Sequence, residues 1–196
     1  MNKTKRKIFE TSMKLFAEKG YDATSIEEIT SVVGVAKGTL YYHFSSKEEI
    51  FNFLVEEGIN LLKNSIKIKT SKQDKYIDKL RAIVLIQIKI IVKYSNFMSI
   101  VLSELWGNSS RSKTCQDFLK EYLSIIKEII TQGIENREIK TVDVEIAADE
   151  IFGMFCTSLY YIKNNELDVE KLFKEIDSTF IKNLKTDINK SKWKAI

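Results

Sequence analysis

The 196-residue sequence contains no proline and only seven glycines. Many-stranded sheets need frequent tight turns, and glycine and proline supply most of the backbone geometry for such turns. The scarcity of both residues argues against an all-β fold. Since 44% of the residues are hydrophobic, the chain can still bury a substantial core. The composition therefore predicts an all-α protein of long helices joined by short loops.

Cysteine and histidine are also scarce. Cys115 and Cys156 form no CxxC pair, which excludes a disulfide framework and a zinc site of the usual spacing. His43 is the only histidine, so the sequence offers a single candidate for a histidine base and too few histidines for a histidine metal cluster. We expect no catalytic residue, no metal and no cofactor.

Long uninterrupted apolar runs are absent as well. The most apolar stretch, residues 83–92, contains Gln87 and Lys89 and is roughly half of the 20 residues that cross a bilayer. The N-terminus is amphipathic rather than an apolar signal segment. These features predict a cytoplasmic protein without a transmembrane helix.

The net charge of +4 is too small to establish a nucleic-acid partner. Its distribution is more informative, because the first seven residues carry Lys3, Lys5, Arg6 and Lys7 and no acid. Such a run suits an N-terminal arm lying against phosphates. A solvated basic terminus is the simpler alternative, and the sequence leaves both open.

Local signals in the first 50 residues predict three helices. Apolar residues recur at helical spacing over residues 4–19, and Ser25 can cap a second, short helix that ends at Gly34. A third helix follows over residues 36–44. Two short helices joined by a glycine turn are typical of a helix-turn-helix, whose last helix enters the DNA major groove.

The run from about residue 5 to residue 54 resembles the DNA-binding domain of the tetracycline repressor (TetR) family. The resemblance rests on LFAEKGY at 15–21, TSIEEI at 24–29, GVAKGTLYYHF at 34–44, and Lys47. It implies an all-α protein of about nine helices. Residues 1–47 would form a three-helix DNA-binding domain, and residues 48–196 a helical domain for ligand binding and dimerisation.

Two positions depart from the family pattern. Ala36 stands where members often have serine, which removes a side-chain cap typically worth about 1 kcal/mol. Glu27 places an acid where some relatives have an arginine that reaches a base. No base contact is expected from position 27.

Beyond residue 47 only the helix pattern can be compared with the family. Propensity alone would allow a strand at 83–92, but no glycine or proline interrupts the chain between Gly58 and Gly107, which favours helix. A loop is expected at 107–113. The helices are predicted at 46–69, 74–94, 97–106, from 114 onward, at 143–163 and at 168–185.

The resemblance implies a set of DNA contacts. Lys37 is the expected base reader, Thr39 can donate, accept or offer a methyl group, and Gly38 allows close backbone approach. Phosphate contacts are expected from most of the others, although His43 could equally be a packing residue. The full predicted set is Lys5, Thr24, Ser25, Lys37, Gly38, Thr39, Tyr41, Tyr42, His43 and Lys47.

In the C-terminal domain, the resemblance implies an internal ligand pocket, with Trp106 at its rim. Aromatic and methionine positions on several helices are its candidate lining, although such positions more often form a core. The predicted lining is Phe97, Met98, Leu102, Trp106, Phe118, Tyr122, Phe152, Phe155 and Tyr160.

The resemblance also implies a four-helix dimer interface built from the last two long helices. The alternative is that their apolar residues form a core within one chain. The predicted interface residues are Ala148, Ile151, Phe155, Leu159, Leu172, Ile176 and Phe180.

The resulting functional prediction is a homodimeric repressor that binds a palindromic operator and is released by a small, hydrophobic effector. One alternative keeps the DNA binding but makes it ligand-independent or controlled by a partner. A helical enzyme using Glu104, Asp149 and Glu150 is a further alternative, but these residues lack the Glu-x-x-His pattern of di-metal bundles.

Overall fold

The all-α prediction is confirmed. The computed structural model describes residues 2–164 and 168–186, and for residues 160–164 it describes the backbone alone. The helices are α1 (Lys3–Lys19), α2 (Ile26–Val33), α3 (Lys37–His43), α4 (Lys47–Thr70), α5 (Tyr76–Ser103), α6 (Ser110–Glu135), α7 (Val144–Asn164) and α8 (Val169–Ile176). A 3-10 turn spans Glu104–Trp106; α8 continues through a π-helical turn (Asp177–Ile181) into α9 (Lys182–Leu184).

The ends of the first helices follow the local signals in the sequence. Asn2 caps α1 by accepting a hydrogen bond from the backbone of Lys5. The Ser25 hydroxyl accepts from the backbone of Glu28 and caps α2, as predicted. Gly34 ends α2 at φ 77°, a left-handed conformation that favours glycine. These caps create the short turn between α2 and α3.

One predicted division between helices is wrong. Residues 74–94 and 97–106 were expected to form separate helices, but α5 runs from Tyr76 to Ser103 with a local break at Tyr94 (φ −128°, ψ 29°). The helix resumes after a single non-helical residue, because neither glycine nor proline is present there to end it.

The segment Tyr76–Trp106 has the length and apolar composition of a membrane-spanning helix, with a mean hydropathy of 1.5 over its most apolar window. It extends well beyond the run 83–92 on which the prediction of no transmembrane helix was based. In this structure 44% of the window is buried inside the protein. Core helices of soluble proteins can have the same length and apolar composition.

The chain forms two compact units. The first contains Met1–Leu62 and Tyr94–Lys120, and the second contains Lys63–Lys93 and Glu121–Ile196. The first unit is larger than the predicted domain 1–47, because the beginning of α4 and the segment from Tyr94 onward complete its core.

Aromatic residues form the centre of the first unit. The ring of Phe51 on α4 packs against Phe16, Tyr21 and Phe97, with centroid distances of 6.3, 5.4 and 6.3 Å. The face of the Tyr21 ring also carries two cations, with Lys47 Nζ at 4.2 Å and the Arg111 guanidinium carbon at 4.0 Å from the centroid. Tyr21 therefore contacts both α4 and the beginning of α6.

Arg111 is held on that ring by the 3-10 turn. Its guanidinium forms an ion pair with Glu104 at 3.0 Å, and Glu104 also accepts a hydrogen bond from the hydroxyl of Ser112 at 2.7 Å. Burial raises the pKa of Tyr21, and the neighbouring Arg111 opposes that rise. The guanidinium is thus fixed by one acid and one ring.

An aliphatic stripe on α5 forms much of the core of the second unit. Leu80, Ile83, Ile88 and Ile91 are buried there at helical spacing. At the edge of this core, Arg81 contacts Asp177 in the π-helical turn at 2.6 Å. The ion pair fixes the turn against α5.

Gly133 of α6 is a packing requirement in the second unit. A Cβ atom at this position would lie 2.5 Å from Cδ1 of Ile139 and 3.0 Å from Cβ of Tyr76. We expect Gly133→Ala to lower the free energy of unfolding by about 1–3 kcal/mol through overpacking. The control is Gly153→Ala on α7, where a Cβ meets nothing within 4 Å. Urea unfolding should show the loss only for Gly133→Ala; equal stabilities would contradict it.

Candidate DNA-binding surface and effector cavity

Helix α3 presents its polar residues to solvent. Leu40 is fully buried against the rest of the first unit, while Tyr41 and Tyr42 are exposed, Tyr42 to 83%. The rings of Tyr42 and His43 contact each other at a centroid distance of 5.0 Å. Ala36 makes no side-chain cap at the start of the helix, as the sequence predicted. Large exposed aromatic residues next to a lysine form a surface suited to a partner.

Seven of the ten predicted DNA contacts are surface residues of α3 or of the start of α2. Each is exposed or half-buried, so a DNA contact from these positions remains a prediction that the structure permits. They are Ser25, Lys37, Gly38, Thr39, Tyr41, Tyr42 and His43.

The ammonium group of Lys47 is hydrogen-bonded within the protein. Its ammonium group donates hydrogen bonds to the carbonyl oxygens of Tyr21 and Thr24, each at 2.9 Å, and lies over the ring of Tyr21. The phosphate contact expected of Lys47 stays a prediction. Lys47 fixes the start of α4 to the loop between α1 and α2.

Thr24 and Lys5 also have partners within the first unit. Thr24 is only 1% exposed, and its hydroxyl donates to the carbonyl of Gly20 at 2.9 Å. Lys5 Nζ lies 4.9 Å from the ring centroid of Phe44 and 4.3 Å from that of Phe53. The basic run at the N-terminus belongs to the start of α1, which Asn2 caps.

An ion pair between Lys37 and Glu27 was not predicted. The ammonium group of Lys37 donates a hydrogen bond to Oε1 of Glu27. This hydrogen bond lowers the pKa of the Glu27 carboxyl, and the same contact raises the pKa of Lys37, so both groups stay charged at neutral pH. The turn at Gly34 brings the two side chains together. No local signal in the sequence reveals this contact.

The second unit contains a small apolar cavity. It has a volume of about 10 Å³, roughly the room of one water molecule. Side chains of α5 and α7 form most of its wall, and the larger part of the lining is aliphatic. The lining residues are Val84, Gln87, Ile88, Ile91, Ile151, Met154, Phe155, Ser158 and Ile176.

Gln87 is the unusual member of this lining. It is 4% exposed, and its Nε2 has no hydrogen-bond partner among the described residues. Leaving a buried amide donor unpaired costs about 1–3 kcal/mol. The sequence carries a signal for this residue, since Gln87 interrupts an otherwise apolar stretch.

The predicted pocket residues are divided between the two units. Phe97, Met98 and Leu102 are buried in the first unit, where Phe118 is half-buried. Trp106, the predicted rim, is 79% exposed on the 3-10 turn. Tyr122 and Phe152 pack against each other in the second unit, and the side chain of Tyr160 is outside the described residues. Only Phe155 lines the cavity.

The predicted dimer residues are largely internal to one chain. Five of them are buried, and three of these line the cavity, namely Ile151, Phe155 and Ile176. This placement favours the alternative of an intramolecular core for those positions. The other buried residues are Ala148 and Leu159, and the half-buried ones are Leu172 and Phe180.

The two cysteines and Glu104 are the other reactive groups that the structure places. Burial raises the pKa of Cys115 to about 12 and that of Cys156 to about 11, so both thiols stay protonated at neutral pH. Glu104 is engaged by Arg111 and Ser112. Within residues 2–164 and 168–186 no group of three or more histidine, cysteine or acidic residues is arranged to hold a metal.

Comparison with known families matches both parts of the chain. A model of the bacterial regulatory proteins of the TetR family matches residues 8–54, and a model of the tetracycline repressor-like C-terminal domain matches residues 73–161. The fatty acid metabolism regulator protein of Bacillus subtilis (strain 168) is 30% identical over 152 residues, which cover 74% of this chain and 76% of that protein.

Solved structures share the fold. A proposed fatty acid metabolism regulator of Clostridium perfringens superposes with a TM-score of 0.82 at 31% identity, covering 92% of this chain and 100% of that one. The regulator FadR of Bacillus subtilis, in complex with stearoyl-CoA, gives 0.81 at 24% identity, covering 91% and 98%. The chain belongs to the TetR family of bacterial DNA-binding transcriptional regulators.

Proposed function

We propose that the protein is a cytoplasmic, homodimeric repressor that leaves its operator when a fatty acyl-CoA binds in the second unit. The observation that carries the effector part is the apolar cavity with the unpaired amide of Gln87. The similarity to a regulator of fatty acid metabolism and to a structure in complex with stearoyl-CoA supports the same class of effector.

The exposed face of α3 would enter the major groove. Lys37 can donate to N7 or O6 of guanine, and Thr39 can contact a base or a thymine methyl group. Tyr42 and His43 extend the surface toward the phosphate backbone. A twofold dimer would present two such helices, and the operator would then be a palindrome.

The cavity has the chemistry of an acyl-chain site. Val84, Ile88 and Ile91 supply a branched aliphatic wall, and Met154 is an unbranched, flexible side chain that can move aside. The Nε2 group of Gln87 offers one donor inside that wall, suited to the carbonyl oxygen of a thioester. A bound chain would have to open the cavity well beyond its present volume.

Release from DNA then follows from linkage. An effector that binds the form with low DNA affinity more tightly than the DNA-competent form shifts the equilibrium toward the former. A tenfold loss of operator affinity requires about 1.4 kcal/mol of coupling. This amount is comparable to the gain from pairing one buried amide donor.

The small volume of the cavity favours a second candidate function. Room for about one water is close to a solid core, which is what a ligand-independent or partner-controlled regulator would have. Such a protein would bind the same operator with an affinity that acyl-CoA does not change. A single titration of the protein–operator complex with acyl-CoA distinguishes the two candidates.

We expect Gly38→Ala to stabilise the protein and weaken DNA binding. A Cβ at Gly38 meets nothing within 4 Å, and alanine in a helix is favoured over glycine by about 0.5–1 kcal/mol. Loss of close backbone approach should nevertheless lower operator affinity about tenfold. Thermal unfolding and fluorescence anisotropy with DNA from the gene's own promoter region measure both effects.

The matched control is Gly58→Ala on α4, an exposed helical glycine that also has free space around it. It should gain similar stability and keep its operator affinity. Unchanged DNA affinity in Gly38→Ala would show that the backbone of α3 does not approach the bases.

The effector proposal predicts that palmitoyl-CoA displaces the protein from promoter DNA, whereas free CoA does not. Gln87→Leu should keep operator affinity but require at least about fivefold more palmitoyl-CoA for release, because one hydrogen bond of about 1 kcal/mol is lost. Replacing an unpaired buried amide by an apolar side chain should not destabilise the fold. Anisotropy titrations of both proteins provide the measurement.

Val92→Leu is the control variant, since Val92 lies on the same helix but is exposed and does not line the cavity. It should respond as the unaltered protein does. Failure of acyl-CoAs of every chain length to release DNA would favour the ligand-independent candidate instead.

A further inference from the structure

The ion pair between Glu27 and Lys37 joins the first turn of α2 to the first residue of α3. We propose that Glu27 is a specificity-determining residue that acts through Lys37. Its carboxylate fixes the lysine ammonium as a base reader and lowers the attraction of the surface for phosphates. The inference rests on the proposed role of α3 as the helix that enters the major groove.

The pair contributes little to folding. Both side chains are largely exposed, 62% for Glu27 and 55% for Lys37. Ion pairs between exposed side chains typically add little to stability, because solvent screens them. Helix α2 already has its own N-cap in Ser25 and its own stop at Gly34. The main effect of Glu27 is therefore on where the charge of Lys37 lies.

The position of that charge matters because Lys37 is the only lysine or arginine of α3. A lysine is a compact charge on a flexible four-carbon stem, and unrestrained it can reach a phosphate as readily as a base edge. A carboxylate that accepts a hydrogen bond from Nζ restricts this freedom before DNA arrives. Fewer conformations then need to be lost when a guanine is contacted.

Glu27 also reduces sequence-independent attraction. Non-specific affinity comes from cations that replace the counterions of phosphates, so a lysine already paired with an acid contributes less to it. A carboxylate on the DNA-facing surface additionally repels the phosphate backbone. The hydrogen bond from Lys37 lowers the pKa of Glu27, so this negative charge is retained throughout the neutral range. Glu27 thus favours specific over non-specific complexes.

The test is Glu27→Gln, measured by anisotropy on promoter DNA, on the same DNA with its guanines in the palindrome replaced, and on unrelated DNA, at several salt concentrations. Non-specific affinity should rise, and log affinity should fall more steeply with log salt, by about one unit of slope. The preference for promoter DNA should decrease about tenfold, within the range of one base contact.

Two controls isolate the pair. Glu18→Gln removes the same charge from an exposed acid of α1 that is paired with Lys14, and it should leave the preference unchanged. In a Lys37→Ala background, Glu27→Gln should cause no further loss of preference, because the group on which it acts is gone. Circular dichroism and thermal unfolding confirm that every variant is folded.

The outcomes separate the proposals. An unchanged preference in Glu27→Gln overturns the inference. A loss of affinity confined to one base pair, without a rise in non-specific binding, also overturns it, because Glu27 would then contact a base itself. If the unaltered protein binds all DNA alike, the proposed function fails rather than the role of Glu27.

Discussion

The architecture of the first unit depends on the ring of Tyr21. It packs against Phe16 at 5.3 Å and Phe51 at 5.4 Å, and it carries the cations of Lys47 and Arg111. Cation–π contacts of this kind contribute about 0.5–2 kcal/mol each, depending on how far they are desolvated. Because Tyr21 lies between α1 and α2, this single side chain fixes the loop before the helix-turn-helix to α4 and to the start of α6. These contacts hold the part of the first unit that carries α3 and its exposed face.

Prediction from sequence succeeded where the determining interactions are local. Ser25 and Gly34 mark the two ends of α2 through contacts with residues three or four positions away. The lack of a side-chain cap at Ala36, where α3 begins, was also predictable from the local sequence. It did not reveal that the charges of Lys47 and Lys5 are engaged by carbonyl groups and aromatic rings, because only tertiary folding brings these groups close. A count of basic residues therefore overestimates the charge available to DNA.

The cavity illustrates the same limit in the second unit. Aromatic positions are the expected lining because large rings often surround ligands, yet the observed wall is mostly aliphatic and derives from α5, α7 and the end of α8. Spacing along α5 shows which residues face inward, but not which inward-facing residues leave a gap. Gln87 was the one member that sequence could have indicated, as a polar residue at a buried position of the stripe.

The near absence of free volume in that cavity would determine the apparent affinity of the protein for its effector. A site that must first be opened has an apparent affinity reduced by the fraction of molecules already open. The packing of Met154 and its aliphatic neighbours would then define a concentration threshold rather than simply a binding site. Looser packing along α5 would produce a more sensitive regulator, and tighter packing a less sensitive one, without any change in the surface that reads DNA.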